Sequence, residues 1–421
     1  LKDRLKEEVQ DVLAATAFVD MHTHLFAPEF GSLGLWGIDE LLTYHYLEAE
    51  LFRFSPIEPR AYWALTKQQK ADAIWKTLFV DQTPVSEATR GVVAVLQALG
   101  LDTCAPDLRR SRAFFADQRV ADHIANVFRL AGVDQVVMTN DPLDAMEAAC
   151  WTADAARDPR FHSALRLDRI VNDWPAHCDL LRSQGYRVEA DLGGASVSEV
   201  RRFLDKWCDR MRPLYMAVSL PDNFAYPDSD LRNQCLTEAV LPACRDRDLP
   251  LALMIGVRRQ ANPALRLAGD ASGLTDLRAL AALCRDFPDN RFLVSVLSRE
   301  NQHELCVYAR KFRNLLPFGC WWFLNNPSIV EEITRERIEM LGFSFIPQHS
   351  DARILEQLIY KWRNTRRTMA PILTQAYGLL EEDGRVVAGA EIKRNVEQLF
   401  RGNFLNWTGQ IFDEPRRTDI A

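Results

Sequence analysis

Short apolar runs recur along this chain with helix-length amphipathic stretches between them, and that alternation constrains the fold more than any single motif. The runs lie at 17–19, 133–139, 161–167, 213–220, 249–257, 291–297, 315–323 and 343–347. Their length and their Gly, Pro, Asn and Asp borders are those of buried strands. The intervening stretches 197–211, 276–287, 303–311 and 328–341 place apolar residues at helical spacing. Repeated strand and helix units predict a parallel sheet, and eight strands is the number that closes a (β/α)8 TIM barrel. The expected class is therefore α/β, a barrel of that type.

One interval breaks the rhythm. Residues 26–35 are loop-like, with Pro28, Gly31 and Gly34, and lead into a region of helical character at 38–42, 71–78 and 86–99, interrupted by Pro56, Pro59 and Pro84. This is too much chain for an ordinary strand-to-helix loop. The expected organisation is an N-terminal helix and first strand in residues 1–35, a helical insertion in 36–130, and the rest of the barrel with C-terminal helices in 131–421. In the tail, Leu355, Leu358 and Ile359 mark one helical face. The insertion's Phe52, Phe54, Tyr62 and Trp63 could form a homo-oligomer interface or pack the insertion against the barrel.

A hydrophobic fraction of 48% with 10 Trp and 22 Phe fits a large packed core, and the net charge of -7 gives no general attraction to nucleic acid. Nine scattered cysteines without a Cys-x-x-Cys pair point to reduced thiols in a cytoplasmic enzyme. The start, Leu1 to Glu8, is too charged for a signal-peptide core, and no long apolar stretch follows, so no membrane partner is expected. Leu1 in place of Met suggests a natural terminus that was trimmed or left out.

In such a barrel the chemistry gathers where the strands end. Asp20-Met21-His22-Thr23-His24 closes the first strand, and its alternation sets both imidazoles on one face, where they can converge on one cation. Imidazole suits Zn²⁺, Fe²⁺, Co²⁺ and Ni²⁺, and such an ion needs at least one more protein ligand. Asn140, Asp141 and Asp144 follow the second strand, and Arg166 and Asp168 the third. Arg258 and Arg259 follow the fifth, and Arg299, Glu300 and Asn301 the sixth. Trp321, Trp322, Asn325 and Asn326 follow the seventh, and His349, Ser350 and Asp351 the eighth. Arginines among carboxylates and a histidine pair suit a small, anionic, polyhydroxylated substrate, because Arg binds carboxylate in bidentate fashion.

Structural roles compete for the same residues. Asn140-Asp141-Pro142 could cap the next helix, and Ser350 or Asp351 could cap the last one. Trp321-Trp322-Phe323 reads as core or pocket wall. His45, in Tyr44-His45-Tyr46, is equally consistent with helix packing and with catalysis. His123, His162, His177 and His303 each stand alone and read as structural or exposed. The chain carries no phosphate loop, dinucleotide fingerprint or nucleophile elbow.

Taken in order, these landmarks resemble the uronate (glucuronate) isomerase family of the amidohydrolase superfamily, over nearly the whole chain. They are Asp20-Met21-His22-Thr23-His24-Leu25, Thr139-Asn140-Asp141-Pro142-Leu143-Asp144 and Arg166-Leu167-Asp168. Ile255-Gly256-Val257-Arg258-Arg259, Gly319-Cys320-Trp321-Trp322-Phe323 and Ser350-Asp351-Ala352-Arg353 complete them. The resemblance implies one divalent metal, commonly zinc, held by His22, His24 and Asp351, and interconversion of an open-chain uronate with its ketose acid. It also gives Asp351 a second duty in proton transfer, and Arg166 and Arg259 the uronate carboxylate or hydroxyls. Tyr46, with His45 as the alternative, would close the pocket, and Asp168, Trp321 and Trp322 would complete the substrate contacts.

Two positions depart from the family pattern. Met254 stands where many members carry a histidine, and Asn325-Asn326 where many carry an aspartate. Metal-dependent hydrolysis is one competing activity, but such sites usually add ligands or a proton shuttle from strands five and six, where this chain offers no histidine. A non-catalytic sugar-acid binding protein is the other, and it would bind uronate without needing the metal.

Overall fold

Seven parallel strands stand side by side in chain order in the computed structural model, which describes residues 2–153 and 157–409. They are β1 (Phe18–Thr23), β2 (Val133–Asn140), β3 (Phe161–Arg166), β4 (Met216–Pro221), β5 (Leu251–Arg258), β7 (Phe292–Val296) and β8 (Leu315–Pro317). A two-residue strand, β6 (Ala271–Ser272), pairs antiparallel with the end of β5. Strand side chains are buried on both faces, which is why these segments read as nearly continuous apolar runs. Val19, Val137, Ala164, Ala217, Ala252, Leu293, Leu316 and Ile346 fill the concave side of the curled sheet. Their neighbours Phe18, Val136, Leu165, Met216, Leu253 and Val294 face outward into the core shared with the helices. Phe404, from the helix Asn403–Thr408, enters the concave cluster beside Tyr215 and Phe318, at centroid distances of 6.0 and 6.5 Å.

The run at 343–347 is not a strand. It makes one parallel bridge, Phe318 to Ile346, in which Ile346 N donates to Pro317 O (3.0 Å) and Gly319 N donates to Ile346 O (2.9 Å). Pro347 removes the next amide donor. The buried Arg337 completes the joint: Nη1 donates to Gly319 O (2.9 Å) and Ile346 O (3.4 Å), and Nη2 to Gln302 Oε1 (3.1 Å). The seventh run likewise ends at Pro317 rather than residue 323, because Gly319 (φ 70°) and Trp322 (φ 47°) turn the chain into a short 3-10 segment, Trp322–Leu324.

Residues 350–352 are stitched to β1 instead. Asp351 N donates to His22 O (3.1 Å) and His24 N to Ala352 O (2.7 Å). Asp20 takes Ser350 N (3.0 Å) and Trp362 Nε1 (2.8 Å) on its two carboxylate oxygens. Neither Ser350 nor Asp351 caps a helix: the last long helix, Gln357–Glu382, has Glu356 at its N-cap. After β2 the cap is Asp144, whose carboxylate accepts from Met146 N and Glu147 N, whereas Asp141 pairs with Arg169 at 3.0 Å.

Between β1 and β2 the chain is helical, with His45–Phe54, Lys67–Trp75, Glu87–Ala98 and Val120–Ala131 as its longer members. Tyr62 is buried against Phe52 and bonds Glu48 (3.0 Å), and Trp63 Nε1 donates to Ala264 O (2.8 Å), so these aromatics pack within the chain. Phe54 is exposed. No described helix is long and apolar enough to cross a membrane.

Arg337→Met should lower stability by about 2–4 kcal/mol, because it strands two buried acceptors, Gly319 O and Gln302 Oε1, and Ile346 O keeps only its bond from Gly319 N. Denaturant titration checks this, and an unchanged midpoint would remove Arg337 from the joint. Glu147 generates a pH effect: it accepts Asn140 Nδ2 (3.2 Å) and Asp141 N (2.9 Å), and burial, opposed by those bonds, pushes its carboxyl up to about 7. The folded state thus holds this proton more tightly than the unfolded chain. Its stabilisation is complete below the ordinary glutamate value and is lost as pH rises through about 7. The loss is at most roughly 3 kcal/mol, and thermal melts of Glu147→Gln should show a flatter midpoint between about pH 5 and 7 than the parent.

Candidate active site

Three potential ligand atoms meet where β1 ends. His22 is the fifth residue of β1 and His24 lies just beyond it, with ring centroids 5.4 Å apart. Asp351 comes from the segment stitched to β1, its backbone in the left-handed region at φ 52°. Asp351 Oδ1 lies 3.2 Å from His24 Nε2 and 3.8 Å from His22 Nε2, and all three ligand atoms fall within 4.8 Å of one another.

The proton positions follow from the neighbours. Tyr215 OH donates to Met21 O (2.8 Å), so its lone pair faces His22 Nδ1 at 2.9 Å and accepts the proton there. His22 Nε2 is left as a bare lone pair aimed at Asp351, the tautomer a metal ligand needs. Burial, and then repulsion from His349 and His24, holds His22 well below the ordinary histidine range, and burial also lowers His24. Both rings therefore stay neutral. Burial raises the proton affinity of Asp351, and the adjacent His24, His22 and His349 outweigh it once they carry charge at low pH, holding the carboxyl below the usual carboxylate range. Its Oδ1 is shielded from solvent and has no hydrogen-bond partner. Lone pairs converging on one point with no donor between them are costly unless a cation satisfies them, so the residues present fit a divalent ion.

The pocket around this cluster spans about 480 Å³ of space, part of it open to solvent. Arg166, His45, Arg259, Asp168, Trp321 and Trp322 all line it, as do His22, His24 and Asp351. Arg166 is fixed by Asp168 Oδ2 through Nε (2.9 Å) and Nη2 (2.6 Å), while Asp168 Oδ1 accepts Ser219 N (2.8 Å). Arg259 pairs with the buried Asp270 (2.5 Å) and lies over Trp322. Trp322 Nε1 donates to His45 Nε2 (3.1 Å), and burial holds His45 down to about 3, so that ring is a neutral acceptor.

Tyr46 does not line the pocket. It packs against Tyr44 and His45, with centroids 4.9 and 4.6 Å away, and its buried hydroxyl has no partner. Met254 lines the wall, whereas Asn325 sits behind it and accepts Gln348 Nε2 (2.8 Å). Arg258 pairs with Asp222, and Arg299 with Glu332, both away from the cluster. His123 bonds Glu356 (2.7 Å) in the core, and His303 pairs with Glu336 on the surface. His349 is buried between His22 and Phe318 with both nitrogens unpartnered.

Sequence reasoning missed the roles of Arg353 and Tyr44, both on the pocket wall. Arg353 makes no ion pair with any described residue. Its signal was available: it ends the Ser350-Asp351-Ala352-Arg353 run, two residues beyond Asp351.

No family model matches the chain, and no curated protein matches it. Among solved structures, a uronate isomerase from Bacillus halodurans C-125 is 47% identical over 98% of this chain and 97% of its own, with a TM-score of 0.95. A uronate isomerase from Thermotoga maritima shares the fold at 15% identity, covering 97% of each chain with a TM-score of 0.74. A glucuronate isomerase from Caulobacter crescentus does so at 14% identity, with a TM-score of 0.76 over 99% of this chain and 95% of its own. With nearly half its residues shared along almost its entire length with the first of these, the chain belongs to the uronate isomerase family.

Proposed function

We infer that this protein is an aldose–ketose isomerase that interconverts an open-chain uronate, D-glucuronate or D-galacturonate, with its ketose acid. In a chain of this family, the observation that carries the reading is the convergence of His22, His24 and Asp351 in a pocket that also holds an unpaired arginine. The underlying scaffold is a (β/α)8 barrel with residues 36–130 as an insertion, residues 346–352 taking the eighth strand's place, and the cytoplasm as its compartment.

The reaction removes the C2 proton, passes through an enediolate, and delivers a proton to C1 while the O2 proton passes to O1 and O2 becomes the carbonyl. That needs a base within reach of carbon and positive charge for the developing oxyanion. A divalent ion held by His22, His24 and Asp351, which we assign as zinc, would supply that charge. Asp351 takes and returns the proton at its carboxylate. Arg353 binds the uronate carboxylate, because Arg166 and Arg259 already carry carboxylate partners in Asp168 and Asp270 and are left to meet hydroxyls. Tyr44-His45-Tyr46 closes the pocket, His45 and Tyr44 from its wall and Tyr46 from the layer behind, while Trp321 and Trp322 exclude water. Hydrolysis is disfavoured, since Met254 and Leu297 supply no imidazole at the fifth and sixth strand ends.

Incubation of each uronate with the protein in D₂O should give ketose signals by NMR, lost after chelation and restored by Zn²⁺. Silence with both sugars would sink the isomerase assignment. Asp351→Asn should cut turnover by about 10²- to 10⁴-fold, the usual range for a removed acid–base group, and near-normal activity would refute both its duties. Arg353→Met should raise KM about 10- to 100-fold, the value of a charge-assisted hydrogen bond. An equal effect from Arg259→Met would reassign the carboxylate.

A further inference from the structure

Behind the pocket wall lies a second polar recess, of about 250 Å³ including the space through which it meets solvent, that the reaction described above does not use. It separates the insertion, represented by Glu87, from the tail helix that carries Lys361 and Thr368 and from the loops that carry Asn325 and Gln348. Lys361 is 5% exposed and makes no hydrogen bond or ion pair with any described residue. Its ammonium lies 5.9 Å from the ring centroid of Tyr46 and 5.8 Å from that of Tyr360. Asn325 Nδ2, shielded from solvent, also lacks a partner. Glu87 is the one carboxylate on the recess wall; burial raises its proton affinity, and Lys361 and Arg90 oppose this.

A largely buried ammonium and a shielded amide are costly to leave without a partner or water. The recess leaves about 10 Å³ for water centres, room for about one molecule, and one water between Lys361, Asn325 and Glu87 would satisfy donors and acceptor together. The recess also touches the site from behind. Gln348, on its wall, accepts Cys320 N (3.0 Å) and His349 N (3.1 Å), and Tyr46 connects Lys361 to Tyr44 and His45.

We propose that Lys361 and Glu87, bridged by water across this recess, are positioning residues that hold the Tyr44-His45-Tyr46 segment against the active-site pocket. The kinetic arm rests on the isomerase reading; a second arm does not. Lys361→Met and Glu87→Gln should each lower kcat by about 10- to 100-fold with KM within about threefold, as a small misplacement of closing groups does. Lys361→Arg should recover most of the rate. The double variant should be no worse than Lys361→Met, since both changes break one bridge. In the substrate-free protein, amide hydrogen exchange at residues 44–47 should accelerate in both single variants while β2 to β5 stay protected.

Wild-type kcat with unchanged exchange in both single variants would overturn the proposal. So would acceleration spread evenly over the barrel without rescue by arginine, which marks a structural role only. Should the parent turn over neither uronate, the isomerase reading fails by itself, and the exchange data still decide whether the bridge holds the segment.

Discussion

The stitch between β1 and residues 350–352 is the constraint on which the rest depends. Two backbone hydrogen bonds and the carboxylate of Asp20 tie residues 350–352 to β1, so histidines near the N-terminus meet an aspartate far along the chain. Asp351 occupies a left-handed backbone conformation that costs roughly 1–2 kcal/mol for such a residue. Its amide bond to His22 O and the next residue's bond to His24 N hold it there. The same bonds that join this segment to β1 therefore aim the carboxylate.

Polarity in the site is arranged by pairing rather than by a surplus of charge. The run from Met21 O through Tyr215 to His22 uses up one imidazole proton and frees the opposite nitrogen. Arg166 and Arg259 are each matched by an aspartate, which keeps them rigid and reduces their pull on an anion. Arg353 stands without such a partner among the described residues, the one pocket arginine whose charge is not matched by a carboxylate.

Much of this was legible in the sequence, for physical reasons. Strands buried on both faces must be apolar, so β1 to β5 and β7 appear as runs close to their observed positions, and strand alternation brings His22 and His24 together. The eighth position was misread because Pro347 and a distant arginine, Arg337, replace ladder bonds that local composition cannot reveal. Asp144 rather than Asp141 caps its helix because cap geometry depends on where the turn ends, and Pro142 only marks that a turn is near. Tyr46 and His45 could not be separated by spacing, since adjacent helix residues differ by about a third of a turn and tertiary packing selects which one reaches the cavity.

Phe404, set beneath Tyr215 and Phe318, fills the floor of the concave cluster, and Tyr215 in turn supports His22. With its base packed by aromatic rings, the sheet works as a cup rather than a tunnel. The rings at that base also stiffen the support under His22, so a change as distant as Phe404 bears on the geometry of the ligand cluster.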